Sequence, residues 1–289
     1  ELQRESKLNY AYIISTHPHL KNQILEQNST TDLYIETLSE KLKQSVLKRV
    51  DPLVSKELRQ FQRALLDLSD MRNSVLWEMS EPDENLNYYN TLIGFLAESI
   101  KQSALLEVND HIFTDMIGIR DYLEYKIFSG IESVYISHIT LTNSLTPDLE
   151  KKLIENDAYQ TIALDNFLHD YIGEKKKKVI HLLKDESILE GNVIRKTILN
   201  RADKEKIGID YKDWNTLQNE RINTQQTIFL SLLNELKSKI NTQVNGLIWQ
   251  FGLNVFTILF LFLFLALFSR FLIRMITKSV HELHDASEA

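Results

Sequence analysis

The stretch from Leu247 to Ser269 constrains this chain most strongly, because it contains no charged residue: LIWQFGLNVFTILFLFLFLALFS. A helix of about 20 apolar residues matches the ~30 Å hydrocarbon core of a bilayer. Between Phe256 and Phe268, Phe and Leu cover every face, whereas a helix buried in a large soluble core seldom stays apolar all round for so long. The sequence therefore predicts a transmembrane helix over residues 247–269.

Basic residues beside the span indicate its orientation. Arg270, Arg274 and Lys278 follow it directly, whereas Lys237 and Lys239 precede it at a distance. Because Lys and Arg are enriched on the cytoplasmic side of membrane helices, we expect the C-terminal end to lie in the cytoplasm. The absence of cysteine is compatible with an oxidising compartment for the rest of the chain.

This orientation divides the chain into an extracytoplasmic domain over residues 1–246, the membrane helix, and a cytoplasmic segment over residues 270–289. The chain has only 8 Gly and 4 Pro, and the prolines fall between periodic segments. No run alternates apolar and polar residues between hairpin turns. The predicted fold class is therefore all-α. The net charge of −7, with no basic face beyond one run of lysines, argues against a nucleic-acid partner.

Capping residues indicate where several helices begin. Thr30 or Thr31, with Asp32, is suited to cap a helix, and Pro52 is expected to open a longer one that ends near Met79.

Two further segments are predicted to be helical. Residues 109–143 form a long helix with one bend near Ser129–Gly130, since Gly lowers helix propensity by ~1 kcal/mol against Ala. Thr146 and Pro147 then mark the N-cap and first position of the next helix.

The last helix before the membrane carries an apolar seam with a spacing of 3 and 4 residues, typical of a coiled coil. Its members are Phe229, Leu233, Leu236, Ile240, Val244 and Leu247. Such a seam packs either within its own bundle or against a second subunit, and spacing alone does not separate the two. A closed homodimer is the usual solution for the second case.

The segment after the span contains Ile276-Thr277-Lys278-Ser279-Val280 followed by Glu282-Leu283. This pattern resembles the opening of a HAMP signalling helix. Ser279 stands where the HAMP pattern commonly has proline, and the second half of a HAMP unit does not follow within these residues.

Motifs for catalysis are absent from the sequence. There is no HExxH, no glycine-rich phosphate loop, no GxSxG and no cysteine nucleophile. The 8 histidines form close pairs only at His17/His19 and His281/His284, and two histidines without further ligands make a poor metal site. We therefore expect neither an enzyme, nor a cofactor, nor a metal site.

Polar residues stand where helix packing would favour apolar ones. Gln3, Arg4 and Ser6 interrupt the first helix, and Arg221 lies on the helix that leads into the membrane. A buried guanidinium needs an anionic partner, because an unpaired charge in a core costs several kcal/mol. The partner is either a carboxylate from another helix or a small bound anion, which the planar fork of Arg suits.

Several short motifs follow one another over about residues 1–236. They are Leu2-Gln3-Arg4-Glu5-Ser6-Lys7-Leu8, Thr31-Asp32, Arg72, Tyr89-Asn90 with Leu92-Ile93, Lys126 with Gly130-Ile131-Glu132, and Trp214 with Arg221-Ile222. Their order resembles the nitrate- and nitrite-sensing (NIT) domain of bacterial receptors. The resemblance implies antiparallel helical bundles, arranged as two stacked four-helix bundles. It also implies a planar anion held between an arginine of the first helix and one of a late helix.

This chain departs from the family pattern at two arginine positions, where it has Ser6 and Ser133. Arg221 keeps the late arginine, and Arg4 points about 200° away from Ser6 on a helix. The predicted ligand-binding residues are therefore Arg221, Gln3, Arg4 and Ser6, with nitrate, nitrite or a related small anion as ligand.

Together these features predict the sensor portion of a receptor in the bacterial inner membrane, with residues 1–246 in the periplasm. The signal would pass through the membrane helix and a HAMP relay to cytoplasmic signalling proteins. A chemoreceptor output is favoured, and a histidine kinase or a cyclic-dinucleotide enzyme is the alternative. A membrane-anchored helical protein that binds a partner and no small ligand is a third interpretation.

Overall fold

The computed structural model describes residues 1–43, 50–107, 109–174, 176–201 and 206–288. All regular structure in these ranges is helical, which confirms the all-α prediction. The α-helices are α1 (Leu2–Ser15), α2 (Pro18–Lys41), α3 (Pro52–Ala64), α4 (Leu68–Leu76), α5 (Pro82–Leu105), α6 (Asp110–Thr142), α7 (Pro147–Asp170), α8 (Lys176–Leu182), α9 (Glu186–Leu199) and α10 (Tyr211–Glu288). A 3₁₀ turn, Leu65–Asp67, joins α3 to α4.

Proline and capping side chains begin several of these helices, as predicted. Pro52 and Pro147 each occupy the first turn of a helix, where a missing N–H leaves no bond unmade. The Thr146 hydroxyl accepts a hydrogen bond from the backbone N–H of Leu149 at 3.3 Å. The Asp51 carboxylate accepts one from Leu53 at 2.8 Å. Local chemistry therefore fixes the starts of α3 and α7.

The predicted helix start at Thr30–Asp32 is wrong, because α2 already begins at Pro18 and runs through these residues. Inside the helix, the Thr30 hydroxyl donates to the carbonyl of Glu26, one turn earlier, at 3.1 Å. A threonine can use its hydroxyl in this way as readily as it can cap a terminus. Sequence alone therefore did not distinguish the two positions.

The helix predicted from Pro52 to Met79 is also shorter and less regular than expected. The 3₁₀ turn interrupts it, and α4 ends at Leu76. Beyond that end Glu78 adopts a left-handed conformation with φ 58°, and the N–H of Met79 bonds the carbonyl of Ser74 at 2.8 Å. These bonds satisfy carbonyls of the last turn and reverse the chain towards α5.

The structure divides into two compact units, residues 1–236 and residues 237–289. In the first unit, one group of helices packs through α1, α2, α4 and α5, with Tyr12, Ile24 and Val75 in its core. A second group is formed by α6, α7, α9 and the first part of α10, around Ile139, Leu153 and other buried side chains. Helix α6 belongs to both groups, since it also packs against α1 and α5.

A close contact on α6 depends on glycine. A Cβ atom added to Gly118 would lie 2.7 Å from Cβ and 3.0 Å from Cα of Tyr171. Tyr171 is the C-cap of α7 and is almost fully buried. Gly118 therefore lets the backbone at the end of α7 approach α6 more closely than any other residue would allow.

Helix α10 changes character along its length. Trp214, Ile228 and Leu232 are fully buried within the first unit. The seam residues Phe229, Leu233 and Leu236 also pack there, against a core cluster that α6, α7 and α9 share.

The later part of α10 presents apolar residues to its surroundings. Ile240, Val244 and Leu247 are exposed, as is every described large apolar side chain from there to Leu265. Among the residues that the structure describes, this is the one helix long and apolar enough to cross a membrane. Helix α10 includes the segment that resembles a HAMP opening as far as Glu288, and Ala289 lies outside the described residues.

Candidate functional site: a buried guanidinium cluster

Arg221 lies on α10 with no part of its side chain exposed to solvent. Its Nη2 atom donates to Oε2 of Glu132 on α6 at 3.2 Å, and to Oε1 of Gln160 on α7 at 3.4 Å. The guanidinium therefore sits between α6, α7 and α10. On the fourth side, an added Cβ at Gly191 of α9 would lie 3.0 Å from its Nη1 atom.

Glu132 is shared by more than one donor. Its Oε2 atom also accepts from Nη1 of Arg195 at 3.0 Å and from Nε2 of Gln160 at 2.5 Å. Arg195 is 7% exposed and pairs a second time with Asp157, whose side chain is 35% exposed. Two buried guanidiniums thus depend on one fully buried carboxylate. We name Glu132, Gln160, Arg195 and Arg221 the guanidinium cluster.

The Arg221 side chain stays protonated in this setting. Burial by itself lowers the pKa of Arg221, but the Glu132 carboxylate and the Tyr125 hydroxyl outweigh it and hold the pKa above its ordinary value. The residue is therefore a permanent cation at any physiological pH.

Several donors of the guanidinium cluster have no hydrogen-bond partner in the part of the chain that the structure describes. They are Nε and Nη1 of Arg221 and Nε of Arg195, and Oε1 of Glu132 likewise has none. Buried polar groups without a partner are rare, since each costs about 1–3 kcal/mol, and more when charged. Free donors on a buried cation are suited to a small anion with several acceptor oxygens.

The other residues predicted for the site lie on α1 and make different contacts. Gln3 donates through Nε2 to the backbone carbonyls of Lys126 at 3.3 Å and Ile127 at 3.4 Å. Arg4 donates to Oδ1 of Asn223 at 2.6 Å.

Ser6 is 3% exposed, and its hydroxyl has no hydrogen-bond partner among the described residues. In the part of the chain that the structure describes, no hydrogen bond joins Arg221 to Gln3, Arg4 or Ser6.

The sequence did not point to the other three residues of the guanidinium cluster. Glu132 was part of the matched motifs but had no role assigned to it. Gln160 and Arg195 carried no signal at all, because an amide or a guanidinium on a helix is usually solvated. Only the register of α7 and α9 against α6 brings them into the interior.

A second buried ion pair links the first group of helices. Arg72 of α4 donates through Nε and Nη2 to the two carboxylate oxygens of Glu5 at 2.8 and 2.9 Å, and through Nη1 to Asp32 at 2.7 Å. The Tyr89 hydroxyl donates to Glu5 as well, and accepts from Asn9 at 3.1 Å. Residues from four matched motifs therefore meet in one network that joins α1, α2, α4 and α5.

This network explains why those motifs occur together. Glu5 is fully buried, and a bidentate guanidinium with a hydroxyl satisfies its two oxygens. Within the described ranges each nitrogen of Arg72 already donates to a carboxylate, so the network holds these helices in register. Among the described residues, no group of three or more His, Cys, Asp and Glu side chains is close enough to hold a metal ion.

The fold and the cluster define the class of protein. It is an all-helical domain with free guanidinium donors in its interior, attached to a helix long and apolar enough to cross a membrane. The family model described as nitrate and nitrite sensing (NIT) matches residues 1–237. The chain belongs to this family, and the resemblance predicted from its sequence is confirmed.

A solved structure supports the same fold. The structure of the NasR transcription antiterminator is similar to this chain with a TM-score of 0.68 at 14% sequence identity. The match covers 83% of this chain and 65% of that one, so this chain spans less than two thirds of the length of that protein. At this identity the likeness shows the fold alone. The sequence has no significant match among curated proteins.

Proposed function

We propose that this chain is the sensor portion of a bacterial transmembrane receptor that binds nitrate, nitrite or a related small anion through Arg221. The observation that carries the proposal is the pair of unpartnered donors, Nε and Nη1, on a fully buried guanidinium. Nε–H and the Nη1 hydrogens lie on different edges of the guanidinium, and a planar oxyanion with several acceptor oxygens can accept from either edge. Membership of a family described by nitrate and nitrite sensing supports the choice of ligand.

Binding at this position would be coupled to helix movement. Arg221 is fully buried, so an anion reaches its free donors only if the helices around it separate. A ligand that binds the separated arrangement better than the closed one shifts the population towards it. Arg221 lies on α10, which also carries the apolar span. A shift in the arrangement around Arg221 would therefore act directly on the helix that enters the membrane.

The remaining parts of the proposal follow from the sequence. Residues 1–246 face the periplasm, residues 247–269 cross the inner membrane, and residues 270–289 begin a HAMP relay. The cytoplasmic output is a chemoreceptor module, with a histidine kinase or a cyclic-dinucleotide enzyme as the alternative. The domain binds its ligand without transforming it, and two copies assemble as a homodimer. Gln3, Arg4 and Ser6 are proposed to approach the anion when the helices rearrange.

Isothermal titration of the 289-residue chain in lipid nanodiscs with nitrate tests the proposal. Arg221→Gln keeps a similar shape but removes the charge and two of the free donors. Charged hydrogen bonds contribute about 1.5–3 kcal/mol each, so the affinity for nitrate should fall by roughly ten- to a hundredfold. Arg63→Gln, at an exposed position on α3, is the matched control and should bind as the wild type does. Equal affinities for Arg221→Gln and the wild type would contradict the proposal.

A further inference from the structure

A groove of about 430 Å³ lies between α1, α2 and α10, and its lining includes Arg4, Lys7, Gln27, Asn219 and Asn223. None of these residues belongs to the guanidinium cluster. The groove is open and polar, and its lining is rich in hydrogen-bond donors. We call it the Lys7 groove.

Lys7 is a buried cation, and no carboxylate of the described residues pairs with it. Its side chain is 3% exposed, and its Nζ atom donates to Oδ1 of Asn215 at 2.8 Å and to Oδ1 of Asn219 at 3.2 Å. Burial, and then the nearby charge of Arg4, lower the pKa of Lys7 to about 8. Amide oxygens solvate an ammonium but do not neutralise it, so this charge remains uncompensated.

Three asparagines on α10 line the side of the groove next to Lys7 and Arg4. Asn215, Asn219 and Asn223 recur every four residues and therefore share one face of the helix. Their amide oxygens accept from Lys7 or from Arg4, the latter at 2.6 Å. Because each oxygen is used by a cation, each amide NH₂ group remains available as a donor.

The size of the groove indicates what kind of anion it suits. Pockets for small organic molecules measure about 300–1,000 Å³, and the Lys7 groove falls within this range. Nitrate has only four heavy atoms and would leave most of the groove to water. Glu26 also lines the groove and provides an acceptor for a hydroxyl or amino group of a larger ligand.

We propose that the Lys7 groove is a second binding site, which takes a small organic carboxylate. Lys7 and Arg4 receive the carboxylate, and the asparagine NH₂ groups supply further hydrogen bonds. This proposal does not depend on anion binding at Arg221, because no residue of the guanidinium cluster lines the groove. Arg4 is the one residue that both proposals use, and the test leaves it unchanged. The receptor would then respond to a carboxylate through the same α10 helix that carries Arg221.

Titration of the 289-residue chain in nanodiscs with succinate and with L-aspartate tests this site. The two probes differ by one amino group, so their ratio of affinities reports whether Glu26 contributes. Lys7→Met keeps the aliphatic stem and removes the charge, and it should weaken the tighter probe by roughly ten- to a hundredfold. Lys21→Met, at an exposed position of α2 outside the groove, is the matched control and should bind as the wild type does.

The pH dependence of binding to the wild type gives a second readout. Only protonated Lys7 attracts a carboxylate, so the affinity of the wild type should fall as the pH rises through about 8. The other charged groups at the groove are Arg4, Glu1 and Glu26, and Lys126 beyond it also has a pKa lowered to about 8 by burial. Lys7→Met should therefore lose the dependence that belongs to Lys7.

The outcomes separate the two proposed sites. Lys7→Met should lose the carboxylate and keep any response to nitrate. If neither probe binds the wild type, or if Lys7→Met binds both with unchanged affinity and pH dependence, the Lys7 groove is not a carboxylate site. Neither result bears on nitrate at Arg221.

Discussion

At the scale of single residues, the distribution of charge in the guanidinium cluster is the most consequential feature. Two guanidiniums, those of Arg195 and Arg221, share Oε2 of Glu132. The sequence predicted that a buried Arg221 would need either a carboxylate or a bound anion. The structure provides the carboxylate and still leaves donors of Arg221 free, so the two alternatives are not exclusive.

This distribution sets an order of stability among three variants. Glu132→Gln removes the one fully buried carboxylate of the cluster and should destabilise the first unit by about 3–5 kcal/mol, as expected when a buried charge loses its partner. Arg221→Gln should cost less, because Glu132 keeps Arg195. Asp157→Asn affects a partly exposed pair and should cost less than about 1 kcal/mol.

Chemical denaturation of the 289-residue chain in detergent, monitored by circular dichroism, measures this order. A loss for Arg221→Gln equal to or larger than that for Glu132→Gln would show that Glu132 is not the shared partner of the cluster.

At the scale of helices, local sequence signals predicted where a helix begins better than where it ends. Pro52 and Pro147 open α3 and α7 as expected, because a proline at the first turn combines a fixed φ with a missing donor. The end of α4 depends instead on the left-handed Glu78, and nothing in its side chain favours that conformation. Such an end follows from tertiary packing, which the sequence does not display.

The contact between α6 and the end of α7 offers a test at this scale. Gly118→Ala places a Cβ atom 2.7 Å from Tyr171 and 3.0 Å from its backbone, and the backbone cannot rotate away as a side-chain tip can. We expect a loss of about 1–3 kcal/mol in the free energy of unfolding, as for other overpacked interiors.

Gly94→Ala, within α5, is the matched control for this substitution. A Cβ atom there meets nothing within 4 Å, so the variant should gain about 0.5–1 kcal/mol from the better helix propensity of alanine. Thermal melting of the two variants side by side gives the comparison. A stabilised Gly118→Ala would mean that α6 and Tyr171 are not held this closely.

At the scale of the whole molecule, the seam on α10 divides into two parts. Phe229, Leu233 and Leu236 pack within the first unit, whereas Ile240 and Val244 are exposed. The sequence left open whether the seam served its own bundle or a second subunit. The buried part serves the bundle, and the association of two copies through the exposed part remains a prediction.

Cysteine crosslinking in membranes tests that association. The chain has no cysteine, so a disulfide between two copies can form only through the single cysteine that is introduced. Ile240→Cys and Val244→Cys lie on one face of α10 and should form disulfide-linked dimers on mild oxidation, since seam residues of paired helices face each other. Thr242→Cys lies about 200° from Ile240 on the helix and should crosslink less. Similar yields at all three positions would argue against a dimer through this seam.

The central claim is that a small oxyanion binds the free donors of Arg221, and a crystal structure of the 289-residue chain grown with nitrate tests it most directly. The expected result is planar, three-fold density with an oxygen within about 2.7–3.2 Å of Nε or Nη1 of Arg221, with α7 or α9 displaced to admit it. A guanidinium that still contacts only Glu132 and Gln160, at nitrate concentrations that saturate binding in solution, would contradict the account.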